Sequence, residues 1–160
     1  MRGRKRSKEA VSTKTAVLFI DEMNDLQSQI AEYFLTKFYG DVYEVRSAGT
    51  KKDCVDCELL SIMYQSGHDI RRTAVSKDLN ARNMIDYDYI VFLQKVTYDD
   101  VHDRLTFPGK HILKDFGGRE SFKATDDLEL ANCYIALIEE IGAWVEETFS
   151  SPDNLNKMVI

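Results

Sequence analysis

The feature that most limits what this chain can fold into is a pair of short, nearly continuous apolar runs set among amphipathic segments. Residues 15–20 read TAVLFI and residues 87–93 read YDYIVFL. Both are rich in β-branched and aromatic residues, and neither shows the apolar–polar alternation of a strand wetted on one face. Such runs predict strands covered on both faces. Elsewhere the apolar residues step by three and four. Ile30, Phe34 and Phe38, with Ala31 and Leu35 beside them, predict a helix over 26–39 that Gly40 closes. Leu59, Leu60, Met63 and Tyr64 predict a second helix over 56–66, closed by Gly67. Leu128, Ala131, Ile135, Ile138, Gly142, Val145 and Phe149 predict a long one over 125–149, with Asp126 and Asp127 at its positive end. Weaker signals predict a strand over 42–46, a short polar helix over 96–105, and a strand over 111–113 after the Pro108–Gly109 turn. Strands alternating with helices mean a parallel α/β sheet with helices on both faces.

The chain has 160 residues, 44% of them apolar, which is one domain with enough material for a single core. No apolar run approaches the ~20 residues that span a bilayer. The basic start, Arg2 to Lys8, is followed by polar residues, so no secretory leader is expected. Three cysteines are an odd, sparse set, which points away from a disulfide framework and towards a reducing cytoplasm. Charge is unevenly placed. Residues 1–14 hold Arg2, Arg4, Lys5, Arg6, Lys8 and Lys14 against Glu9, a surplus of five. With a formal net charge of −6 overall, the other 146 residues carry −11. This acidic body argues against a nucleic-acid-binding core. The basic arm is expected to be a disordered, solvated terminus; otherwise it could touch phosphate backbones or an acidic partner. The domain proper is expected over 15–150. A tail over 151–160, ending Met158-Val159-Ile160, either packs on the body or offers an apolar hook.

In open parallel sheets the ligand site lies at the carboxyl ends of the strands. Here that place is taken by Asp21, Glu22, Met23, Asn24, Asp25, Leu26, Gln27 and Ser28, between the first strand and the first helix. Backbone N–H groups and the helix dipole ordinarily await an anion there. Asn24 and Asp25 are expected to cap the helix. Asp21, Glu22 and Asp25 are the one carboxylate set that a divalent cation could use, although three acids in five residues are more often solvated. Asp21 as a phospho-accepting carboxylate, as in haloacid dehalogenases and receiver domains, would need further acids where Met23 and Gln94 stand. Cys54-Val55-Asp56-Cys57 is a lone C-x-x-C at a helix start, open to a redox role. His68, His102 and His111 lack ligand spacing, so zinc is not expected. Cys133 and Trp144 read as packing residues.

Several segments, in order, resemble a known family: VLFI with SQIAE (17–20, 28–32), SAGT (47–50), SGHDI (66–70), DYDYIVF (86–92), and FPGK with KDF (107–110, 114–116). The chain resembles the low-molecular-weight protein tyrosine phosphatases and their relatives, the thioredoxin-coupled arsenate reductases. The resemblance implies a three-layer αβα fold on a central four-stranded parallel sheet. It also implies a cysteine nucleophile after the first strand, a loop of N–H groups around the oxyanion, an arginine six residues on, and an aspartic general acid. In this chain those roles fall on Asp21, Gln27 and Gly118. The loop glycine falls on Met23, while Asn24 and Ser28 match. Gln94 stands near the place of a reductase redox cysteine. A carboxylate about 4 Å from a phosphate charge costs roughly 4 kcal/mol at an effective dielectric near 20. Asp21 could instead fill the N–H nest itself, and Met23 would be strained if its position needs positive φ. Asp115 is either a displaced acid or a structural residue. The expectation is a catalytically degenerate member, a pseudophosphatase without cofactor, binding an unidentified protein partner. The alternative is a phosphatase or arsenate reductase with altered, metal-assisted chemistry.

Overall fold

The computed structural model of the protein describes residues 14–82 and 85–160. Residues 1–13, and with them nearly all of the basic arm, lie outside the described residues. The predicted strands are present: β1 (Thr15–Asp21), β2 (Tyr43–Gly49), β3 (Tyr89–Phe92) and β4 (Lys110–Leu113). They form one parallel sheet in the order β2-β1-β3-β4. β1 is central, and its residues 17–20 are completely buried, as its unbroken apolar run requires. β2 runs three residues past its expected end. The small residues Ser47, Ala48 and Gly49 stay in register with Phe19, Ile20 and Asp21.

The helices are α1 (Gln27–Tyr39), α2 (Cys57–Gln65), α3 (Lys95–Val101), α4 (Asp127–Thr148) and α5 (Pro152–Asn156). Side chains alternate across the sheet and define two cores. On one face Val17, Phe19, Val91 and Ile112 meet Ile30 and Phe34 of α1, Met63 of α2, and Ile138, Ile141 and Val145 of α4. On the other, Leu18, Ile20, Ile90 and Phe92 meet Val101 of α3 and Phe107. The sheet is thus flanked by helices on both faces, with most of the helical mass on the first.

The long helix corrects its expected apolar stripe. Leu128 is 71% exposed and Ile135 is 37% exposed, while Tyr134, Leu137, Ile141 and Val145 are buried. Ile138, Gly142, Val145 and Phe149 of the expected stripe are buried, and the buried face widens to take in the neighbouring Tyr134, Leu137 and Ile141. Core contact along α4 begins with the half-buried Leu130 and Ala131, and Leu128 before them stays in solvent.

The tail packs on the body. Leu155 is buried. Val159 forms an antiparallel bridge to Ile112, and Ile160 N–H donates to the His111 carbonyl at 2.9 Å. The tail therefore covers the β4 edge, which would otherwise present unpaired backbone groups. Removing residues 157–160 should lower stability by about 1 kcal/mol, the worth of one or two such bonds. Urea denaturation of the truncated protein checks this, and an unchanged midpoint would show that the edge is indifferent to its cover.

Candidate functional site: a nest closed by its own carboxylate

β1 delivers Asp21 to the carboxyl edge of the sheet with 1% of its surface exposed. Its two carboxylate oxygens are both engaged. Oδ1 accepts the backbone N–H of Asn24 at 2.5 Å, and Oδ2 accepts the N–H of Ser28 at 2.9 Å. Ser28 lies in the first turn of α1. The helix is therefore capped from the strand by Asp21, and not by Asn24 or Asp25. The residue at the cap position is Leu26, which supplies no side-chain acceptor. Charge at the positive helix end is favourable, but burial dominates. It pushes the Asp21 carboxyl up to about 6, against the lowering by the Ser28 and Asn24 bonds.

Asn24 holds the loop's shape. It is the residue at positive φ (53°), not Met23, so the strain expected at Met23 is absent. Asparagine tolerates this region because its short amide bonds locally. Here it does so fully. Its Nδ2 donates to Ser28 Oγ at 2.7 Å, its Oδ1 accepts the Lys77 N–H at 2.8 Å, and its carbonyl accepts Gln29 Nε2 at 2.9 Å. Ser76 Oγ donates to the Met23 carbonyl at 2.9 Å. Gly49 lies beneath the loop. A Cβ there would stand 2.6 Å from the Asn24 nitrogen, so the last residue of β2 must lack one.

The three acids do not converge. Asp21 points into the nest. Glu22 is half-exposed, with Lys51 Nζ at 3.3 Å. Asp25, 7% exposed, is ion-paired to Arg119. Among the described residues no group of three or more His, Cys, Asp or Glu side chains is placed to hold a metal ion. Each of the three carboxylates is already engaged by other groups of the chain.

Arg119 is the residue that sequence reasoning missed. Besides Asp25 it reaches Asp56, Nε to Oδ2 at 2.9 Å. Asp56 caps α2 through Oδ1 (Glu58 N at 2.9 Å, Leu59 N at 3.3 Å), and its Oδ2 also accepts the Tyr134 hydroxyl at 2.7 Å. One guanidinium thus ties the loop, α2 and α4 together. Burial pushes the Asp25 carboxyl above its ordinary value, and Arg119 is the chief opposing influence. An acidic buried loop demands a cation from elsewhere in the chain. That demand was the available signal.

The remaining positions complete the cleft. Gln27 donates Nε2 to the Gly117 carbonyl, tying the start of α1 to the loop after β4. Gln94 Oε1 accepts the Glu22 N–H at 2.9 Å and Thr97 Oγ1 at 3.1 Å. Gly118 has no side chain to donate a proton. A Cβ there would stand 2.6 Å from the Glu120 carboxylate. Asp115 accepts the Gly117 N–H at 3.0 Å and turns the chain. Together these residues border a cleft of about 310 Å³ between Glu22, Asp25, Gln27, Gln94, Arg119 and Glu120. Cys54 and Cys57 are exposed and free, and Cys133 is free and half-buried.

Residues 16–147 match the family described as low molecular weight phosphotyrosine protein phosphatase. The chain belongs to that family. No curated protein sequence matches it significantly. Solved structures share the fold at low identity. The Corynebacterium glutamicum thioredoxin-dependent arsenate reductase is 24% identical over 94% of this chain and 67% of its own, with a TM-score of 0.61. The low molecular weight protein tyrosine phosphatase of T. tengcongensis is 17% identical over 90% and 99%, with a TM-score of 0.65. That of Vibrio cholerae O395 is 19% identical over 86% and 97%, with a TM-score of 0.65. In this family member, the strand-to-helix loop is folded around an internal carboxylate. Among the described residues no helix is long and apolar enough to cross a membrane.

Proposed function

We propose that this phosphatase-family protein is a non-catalytic, pseudoenzyme member that serves as a binding or regulatory module for a protein partner. One observation carries the reading: both Asp21 oxygens occupy N–H groups of the loop. A buried carboxylate with both oxygens satisfied is neither a nucleophile nor a vacancy for a dianion. Ser28 Oγ, the nearest hydroxyl, is fully buried and already accepts from Asn24. Of the cations beside the loop, Arg119 is shared between Asp25 and Asp56, and Lys51 pairs with Glu22. Gly118 offers no proton to a leaving group. The free thiols fit a reducing compartment such as the cytoplasm.

The test is a thermal-shift titration with phosphate, arsenate and vanadate, alongside assays of p-nitrophenyl phosphate hydrolysis. A ligand at about 100 times its Kd adds about 2.7 kcal/mol of stability. The wild-type protein should show no shift and no turnover. Asp21→Ala, which empties the nest while leaving Asn24 in place, should gain an oxyanion-dependent shift. Stabilisation of the wild-type protein by oxyanions, or turnover that Asp21→Ala abolishes, would overturn the proposal.

A further inference from the structure

Two buried glutamines line the cleft between the strand-to-helix loop and the loop after β4, and each keeps one polar atom without a partner. Gln94 is 7% exposed. Its Oε1 accepts both the Glu22 N–H and the Thr97 hydroxyl. These bonds fix the amide, because turning it over would set its N–H groups against the Glu22 N–H. Nε2 is left with no acceptor among the described residues. Gln27 is 2% exposed, and its Nε2 is engaged by the Gly117 carbonyl. Its Oε1 is therefore left to accept.

Gly118 opens the space in front of Gln94. The point where a Cβ on Gly118 would stand lies 3.1 Å from Gln94 Nε2, and 2.6 and 2.8 Å from the two Glu120 carboxylate oxygens. Glu120 is exposed and forms no ion pair among the described residues. Glu22 borders the same cleft. Its partner Lys51 is 63% exposed, so that pair is weak and readily exchanged. The cation in the lining, Arg119, is held by Asp25 and Asp56. The cleft thus presents acceptors on Glu22, Gln27 and Glu120, and a donor on Gln94. An oxyanion meets the wrong sign of charge here. A cation carried beside a carbonyl oxygen meets both requirements.

We propose that this cleft takes a lysine side chain from a basic segment of the protein partner, its ammonium set against Glu22, Gln27 and Glu120 and a backbone carbonyl of that segment against Gln94 Nε2. The inference rests on the binding-module reading and names the chemistry of its partner. An ammonium carries three donors and no acceptor, and its apolar stem suits the Met23 and Leu26 side of the lining. The partner's carbonyl supplies the bond that the buried Gln94 amide lacks. A cleft of about 310 Å³ has room for one such side chain.

An NMR titration of the isotope-labelled full-length protein with acetyl-Gly-Lys-Gly-amide tests this, read on the side-chain amide signals of Gln94 and Gln27. Both should move along one saturating curve at millimolar peptide. The norleucine analogue, which keeps the stem and lacks the charge, should leave them in place. Glu120→Gln, at an exposed position outside the core, should weaken the lysine peptide about fivefold, the worth of one partly exposed ion pair. Unmoved amide signals, equal binding of the norleucine peptide, or undiminished affinity in Glu120→Gln would each overturn the proposal. So would shifts confined to the acidic face of α4, which would show attraction to net negative charge alone. All of these failures leave the non-catalytic reading standing. Movement of the Asn24 and Ser28 backbone signals by inorganic phosphate would instead bring down that reading and this inference with it.

Discussion

Replacing Arg119 with alanine should cost about 3 kcal/mol of stability, a fall in Tm of roughly 6–12 °C for a domain this size. Fully buried pairs lose 3–5 kcal/mol when one partner is removed. The lower end applies because the Arg119 side chain is 42% exposed, while those of Asp25 and Asp56 are 9% and 7% exposed. The loss is borne by the acids left behind. Asp25 would keep a mostly buried charge with Asp56 nearby and no cation to offset either. Asp56 would still cap α2 and accept the Tyr134 hydroxyl. A double-mutant cycle separates this from simple truncation. Asp25→Asn should recover a large part of the loss in the Arg119→Ala background, because it removes the orphaned charge. Urea midpoints of the four proteins measure it. Additive losses would show that Arg119 acts through packing alone.

The second large effect is on pH dependence and belongs to Asp21. Its folded pKa of about 6 lies above the ordinary 3.8. Between these values the native state binds more protons than the unfolded chain. Stability from this residue is therefore fully present below pH 3.8 and is lost as pH rises through 6. The difference corresponds to about 3 kcal/mol. Other carboxylates titrate in the same range, so the useful quantity is the wild-type curve against Asp21→Asn. The amide cannot accept both the Asn24 and Ser28 N–H groups, so the variant begins with a deficit. Measured against the wild-type protein, that deficit should shrink by about 2.5 kcal/mol between pH 4 and pH 7. Parallel curves would show that Asp21 is ionised throughout and that its charge is better compensated than its burial suggests.

Both predictions concern residues whose roles had different visibility in the sequence. Asp21 was legible. It follows the most apolar run in the chain, and the carboxyl end of a central parallel strand is where a loop meets a helix terminus. Its engagement with two N–H groups was a physical option, because a carboxylate there has few alternatives to solvent. Arg119 was not legible as part of the loop. It lies 94 positions from Asp25 and is joined to it only because the loop after β4 folds over the same edge of the sheet. Asn24 was expected to cap the first helix, and its positive φ was not foreseen. The bonds that hold it come from Lys77, distant in sequence, and from Ser28 and Gln29 in the first turn of α1.

The parallel α/β architecture, and the place of the strand-to-helix loop at the carboxyl end of β1, could be read from the residues alone. Unbroken apolar runs must be buried on both faces, and helix periodicity must turn one stripe towards them. These are local demands, and each can be read over a few residues. The tertiary structure alone decided which part of α4 is buried, since core contact along it begins only with Leu130 and Ala131. It alone decided that the tail completes an edge of the sheet, because Val159 has a partner only once β4 is placed. It also decided how an acidic loop is held together. Long-range ion pairs form where desolvated charges find each other in the folded chain, and no local pattern records which distant cation will arrive.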